Sequence, residues 1–176
     1  VQDKNNRWGY IDKKGHVVIA CKWCDAGDFV EGIASVQDEN EKWGYIDKKA
    51  NFVIPCKWNR IGAFSEGLAY VRDENWKAGF VDKRGELVIQ CNWDFVGIFR
   101  EGLAYVSDES GKYGFVNKVG DVVIPCKWKR VGSFAGGLAT VYDENDELID
   151  VARHPQMIIK LKVDHKLNKN DMMRLK

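Results

Sequence analysis

This chain of 176 residues predicts an all-β fold, a tandem array of four three-stranded antiparallel units of about 35 residues in an open, twisted, β-solenoid-like stack. Three observations carry that expectation. Cys21, Cys56, Cys91 and Cys126 stand 35 apart, as do Trp23, Trp58, Trp93 and Trp128, and then Phe29, Phe64, Phe99 and Phe134, so one unit recurs four times without a slip. A period between roughly 20 and 50 residues marks arrays in which each unit buries its apolar face only against its neighbours. Within each unit, short alternating runs are bounded by Gly, Asn and Asp, which is a strand-and-turn pattern. No apolar stripe of helical period lasts even three turns.

The second unit shows the elements in order. KWGYID from Lys42 to Asp47 is an alternating aromatic run that suits a first strand. Lys48 to Asn51 is a polar turn, matched by KKGH, KRGE and KVGD in the other copies. FVIPCKW from Phe52 to Trp58 is the second strand, and NRIGAFSEG after it reads as an ordered loop. LAYVRD is the third strand, and the charged turn DEN leads into the next unit. Gly9, Gly44, Gly79 and Gly114 mark a place in the first strand where something approaches the backbone closely. Ala34, Ala69, Ala104 and Ala139, each followed two places on by Val, put one face of the third strand in the core. Pro55 and Pro125 cannot donate to a ladder, so they mark an edge, a bulge or a strand end. A small four-bladed propeller is the alternative architecture. Blades commonly use four strands and about 40–50 residues, and this period leaves little room for a fourth strand.

The strings RWGYIDKKGHVVIACKW and KWGYIDKKANFVIPCKW, with the trailing GAFSEGLAYV, resemble the WG-repeat family, also called KWG repeats, found mainly in bacterial proteins. The likeness covers about residues 7 to 147, with Ala78 and Tyr113 standing in place of the Trp of the name motif. It implies an all-β repeat module that mediates interactions, and no reaction. Residues 1–147 are accordingly read as four repeats, at about 7–42, 43–77, 78–112 and 113–147. LIDVARHPQMIIKLKV then lies under WGYIDKKGHVVIACKW, so 148–163 reads as a degenerate fifth half-repeat or cap, and 164–176 as a basic tail or linker. The first residue is Val1, which suggests a piece of a longer protein.

Lys plus Arg number 27 against 26 Asp plus Glu, so no global field steers the chain to nucleic acid or a membrane surface. Only residues 153–176 are basic, with seven cationic and two anionic side chains, which makes nucleic acid the weakest of the binding readings. The longest apolar runs fall far short of the roughly 18 residues a membrane-crossing helix needs. The periodic cysteines sit between Ile and Trp and read as small core hydrophobes, not as a disulfide framework, which favours a reducing compartment. Only Cys21 and Cys24 have metal-ligand spacing, and they lack a partner pair, so no metal or other cofactor is expected. Three histidines, two of them in the tail, and carboxylate pairs repeated in turns such as Asp38-Glu39 give no acid–base or nucleophile arrangement, so no enzyme is expected.

What is left is binding. The expected function is a non-catalytic module contacting another protein, or another domain of the parent chain, with a carbohydrate or cell-envelope module as the alternative. A partner is expected at positions that differ between copies. These are Asn59, Asp94 and Lys129 after the second-strand Trp, Arg72, Ser107 and Tyr142 on the third strand, and Trp76, which replaces Glu41, Gly111 and Asp146 in a turn.

Overall fold

A computed structural model describes residues 1–143 and 148–153. Among the described residues every regular element is a strand, and no helix is long and apolar enough to cross a membrane. The strands are β1 (Trp8–Ile11), β2 (Val17–Trp23), β3 (Asp25–Val30), β4 (Ile33–Gln37), β5 (Trp43–Asp47), β6 (Phe52–Trp58), β7 (Arg60–Ile61), β8 (Leu68–Arg72) and β9 (Ala78–Asp82). They continue as β10 (Leu87–Trp93), β11 (Phe95–Val96), β12 (Leu103–Ser107), β13 (Tyr113–Asn117), β14 (Val122–Trp128), β15 (Arg130–Val131), β16 (Leu138–Tyr142) and β17 (Leu148–Arg153). All pair antiparallel with their sequence neighbours, in separate sheets β1-β2, β3 to β6, β7 to β10, β11 to β14 and β15 to β17. Among the described residues the first and last sheets are not hydrogen-bonded to each other.

Two details depart from the expected unit. The segment read as a loop after the second strand contributes a strand of its own, as short as Arg60–Ile61, so a complete sheet has four strands, not three. The sheets are also offset from the sequence repeat. Each complete sheet begins just after a second-strand Trp and ends at the next one, and the lone residues between sheets are Cys24, Asn59, Asp94 and Lys129. Of the residues beyond the fourth repeat, 148–153 form β17 against β16, in the place of a first strand. The rest of the proposed cap and the basic tail lie outside the described residues.

The core is a row of packets, one between each pair of successive sheets. In the packet joining the second and third sheets, Tyr45, Ile54 and Trp58 meet Phe64, Ala69 and Val71. The same positions, 35 residues on, are Phe80, Ile89 and Trp93 against Phe99, Ala104 and Val106. Val36, Val71, Val106 and Val141 are each 0 % exposed, so the alternation of the third strand does face the core. Edge-to-face ring pairs repeat across the joints, with centroids 4.8 Å apart for Tyr10–Phe29, 4.9 Å for Tyr45–Phe64, 4.8 Å for Phe80–Phe99 and 4.9 Å for Phe115–Phe134. Of the four repeated Trp, Trp23 and Trp58 are buried at 4 % and 8 % exposure, while Trp93 and Trp128 are half-buried.

The glycine of the first strand is there because the neighbouring backbone lies against it. A Cβ on Gly44 would meet the Ile54 carbonyl oxygen at 2.5 Å. Register shifts by a bulge around that contact, between Trp43↔Trp58 and Tyr45↔Ile54, and the bulge holds Pro55 on the outermost strand of the sheet.

Units are also tied by the E-G turn that opens the third strand of the first three copies, where the fourth copy has Gly136-Gly137. Glu66 and Gly67, at φ 53° and 86°, form a two-residue turn closed by Ser65 N–H to Leu68 O at 2.9 Å and Leu68 N–H to Ser65 O at 3.2 Å. The Glu66 carboxylate accepts from Gly102 N–H at 3.0 Å and pairs with Lys118 Nζ at 3.1 Å. Glu101 accepts from Gly136 N–H at 2.7 Å and Gly137 N–H at 2.8 Å, and Glu31 pairs with Lys83 Nζ at 2.7 Å. Each of these glutamates therefore reaches a later unit.

Candidate binding site

Trp76 sits in the turn that closes the other end of β8. Asp73 organises that turn: its Oδ1 accepts from Asn75 N–H at 2.9 Å and Lys77 N–H at 3.0 Å, and Trp76 N–H donates to Asp73 O at 3.1 Å. The turn forces residue 76 into the left-handed region at φ 62°, where the equivalent residues are Asn6 at 60°, Glu41 at 60° and Gly111 at 75°. A bulky L-residue there costs on the order of 1–2 kcal/mol relative to Gly. The ring is 56 % exposed.

Arg72, at the end of β8, buttresses the turn. Its Nη1 donates to Trp76 O at 2.6 Å and its Nη2 to Asp94 O at 2.8 Å, while the guanidinium lies 5.1 Å from the centroid of the Phe95 ring. Phe95 is itself 57 % exposed. Tyr70 folds its ring over Gly62, where a Cβ would stand 2.2 Å from the ring, and Tyr105 does the same over Gly97.

These side chains border two clefts that share one wall. The first, about 600 Å³, lies where the second and third sheets meet and is lined by Asp25, Asp28, Trp43, Asn59 and Phe64. The second, about 560 Å³, lies where the third and fourth sheets meet and is lined by Arg72, Phe95, Tyr105 and Ser133. Arg60, Tyr70 and Trp76 line both. Behind the first cleft Tyr45 donates its hydroxyl proton to Gly62 O, and burial pushes its pKa upward. Tyr10 is the equivalent residue one unit earlier, donating to Gly27 O at 2.8 Å; burial, with the Asp28 and Asp25 carboxylates, pushes it up to about 12. Both tyrosines stay protonated donors at neutral pH.

The other expected contact positions are distributed unevenly. Asn59 accepts from Lys42 Nζ at 2.6 Å and Asp94 from Lys77 Nζ at 2.8 Å, so both are held within the array, and of these two clefts Asn59 lines the first and Asp94 neither. Ser107 is 1 % exposed and its Oγ accepts from Phe95 N–H at 3.1 Å, which places it in the strand pairing and away from any surface. Tyr142 ends β16 in the last sheet and Lys129 stands just before β15, where Lys129 N–H donates to Tyr142 O at 3.0 Å and Arg130 stacks 4.6 Å from the Tyr142 ring centroid. The structure thus gathers Trp76, Arg72 and Asn59 and leaves Lys129 and Tyr142 apart. It adds Phe95 and Arg60, whose shared repeat position reads Asp25, Arg60, Phe95 and Arg130 from unit to unit. That variability is the signal that could have found them.

All five cysteines are free and half-buried, and burial pushes Cys56 and Cys91 up to about 11. Among the described residues no His, Cys, Asp and Glu side chains gather into a metal-holding group.

A profile of the WG containing repeat matches residues 8–43, 43–75, 79–113 and 113–145. The chain belongs to the WG-repeat family. Within this WG-repeat chain, a profile of the Peptidase family U32 C-terminal domain matches residues 131–174, overlapping the fourth repeat. No curated protein matches. Among solved structures, the computationally designed Ika4 protein is similar at TM-score 0.46 and 7% identity, over 71% of this chain and 87% of that one. The designed Ika8 protein gives 0.43 at 6% identity, over 68% and 42%. The WD40 beta propeller domain of Doa1 gives 0.37 at 11% identity, over 79% and 56%.

Proposed function

We propose that this WG-repeat chain is a non-catalytic interaction module that binds another protein through the paired clefts around Trp76. The observation that carries the reading is Trp76 itself. A large ring is kept in a left-handed turn position that suits Gly, it is more than half exposed, and it borders both clefts. An aromatic anchor beside arginine and tyrosine is the usual composition of an interface hot spot. The clefts add concavity on either side of it.

The test is selection from a random-peptide display library on the wild-type chain, followed by affinity measurement on Trp76→Ala. Loss of about 2 kcal/mol of affinity, with an unchanged circular dichroism spectrum, supports the assignment. Equal affinity for the variant refutes it. Binding on a glycan array with no selectable peptide would favour the carbohydrate alternative.

A further inference from the structure

The second cleft is lined by two arginines and, among the described residues, by no carboxylate. Arg60 and Arg72 stand directly opposite each other in the β7–β8 pair, and both line this cleft. Like charges at directly opposed positions destabilise a strand pair. Equivalent pairs elsewhere are Asp25↔Gln37, Phe95↔Ser107 and Arg130↔Tyr142, so this unit alone among them opposes two cations. Among the described residues neither guanidinium forms an ion pair. Arg72 is engaged by two neutral carbonyls and the Phe95 ring, and Arg60 is exposed.

The remainder of the lining sharpens the chemistry. Tyr70, Trp76, Phe95 and Tyr105 supply aromatic surface, and no Asp or Glu lines this cleft, whereas Asp25 and Asp28 line the first. Guanidinium groups match carboxylates through a planar fork of donors, and such bonds are stronger in a partly enclosed, apolar setting. Resting on the interaction reading above, we infer that the second cleft takes an acidic segment of the partner protein, an Asp or Glu side chain seated between Arg60 and Arg72 with an apolar neighbour against Trp76 and Phe95. Alternating charge between the clefts then sets the direction in which the segment lies.

The experiment compares peptides selected from a random display library on the wild-type chain and on Arg60→Glu. Wild-type selections are expected to be enriched in Asp and Glu beside an apolar residue. Their affinity should fall about tenfold or more on Arg60→Glu and weaken with added salt, while Arg60→Glu itself selects Lys or Arg. Arg60→Gln provides a ligand-free readout: with the like-charge pair relieved, it should unfold at a urea concentration no lower than wild type. Neutral or basic selections that still depend on Trp76 would overturn the acidic assignment and leave the interaction reading standing. No selectable peptide would remove both. Tighter binding of a single-stranded oligonucleotide than of any acidic peptide would also overturn it, as would a lowered urea midpoint for Arg60→Gln.

Discussion

The turns at the two ends of β8 share one backbone feature and are used differently. Both put a non-glycine residue in the left-handed region, Glu66 at φ 53° before the strand and Trp76 at φ 62° after it. At the E-G turn the same residue type recurs as Glu31, Glu66 and Glu101, and its carboxylate reaches Gly102, Gly136, Gly137, Lys83 or Lys118 of a later unit. At the other turn the position reads Asn6, Glu41, Trp76 and Gly111, while the hydrogen bonds that shape the turn come from the invariant Asp. Where the array needs a side chain, the first three copies agree, and the fourth, Gly136, instead receives a bond from Glu101. Where only the backbone is needed, the side chain is released for another task, and Trp76 occupies such a place.

The largest effect expected from breaking the scaffold side is at Phe99, which is fully buried and paired edge-to-face with Phe80 just before the third E-G turn. Phe99→Ala should destabilise by about 3–5 kcal/mol, read by urea unfolding. A loss below about 1 kcal/mol would show that the packet between these sheets does not hold the array.

Glu101→Ala comes next. It removes the acceptor of two backbone N–H groups in the following unit, and a loss of about 1–2 kcal/mol is expected for exposed charge-assisted bonds. The matching change at the variable turn, Glu41→Ala, should be much smaller, because among the described residues no later unit receives a bond from that side chain. Equal losses would erase the distinction between the turns.

A smaller effect follows from pH. Burial raises the pKa of Glu66, but the Lys118 ammonium and the Gly102 N–H outweigh it and leave the carboxyl below its ordinary 4.5. A depressed folded-state pKa contributes stability that is complete above the unfolded value and is lost as pH falls through the folded one. The urea midpoint of wild type should therefore drop toward that of Glu66→Gln as pH falls from about 5 into the low acid range. A gap between the two proteins that stays constant across that range would contradict the inter-unit role of the carboxylate.

Much of this arrangement was legible because four copies were printed in one chain. Positions that the unit needs declared themselves by recurrence, and Ala69, Val71, Phe64 and Trp58 do line one packet. Pro55 signalled a ladder defect and sits in a bulge on an outer strand. The strand Arg60–Ile61 was not legible, since two residues display no alternation and NRIGAFSEG is otherwise rich in turn formers. The E-G bonds were hidden for another reason: their partners lie 35 or more residues away, and Glu-Gly in sequence says nothing of what the carboxylate reaches. At the candidate site Trp76 was singled out by its turn neighbours. Ser107 varies between copies yet is buried, because variation reports freedom from the repeat and not exposure. The opposed pair Arg60 and Arg72 requires the strand register, which no spacing discloses.

Urea unfolding of Trp76→Gly beside Phe99→Ala tests most directly whether the variable turn stands outside the scaffold. Relief of the left-handed strain, on the order of 1–2 kcal/mol, should roughly offset the contacts of a ring that is more than half exposed. The unfolding free energy of Trp76→Gly is expected to stay within about 1 kcal/mol of wild type while that of Phe99→Ala falls steeply. A loss at Trp76→Gly comparable to that at Phe99→Ala would make Trp76 part of the scaffold and contradict the account.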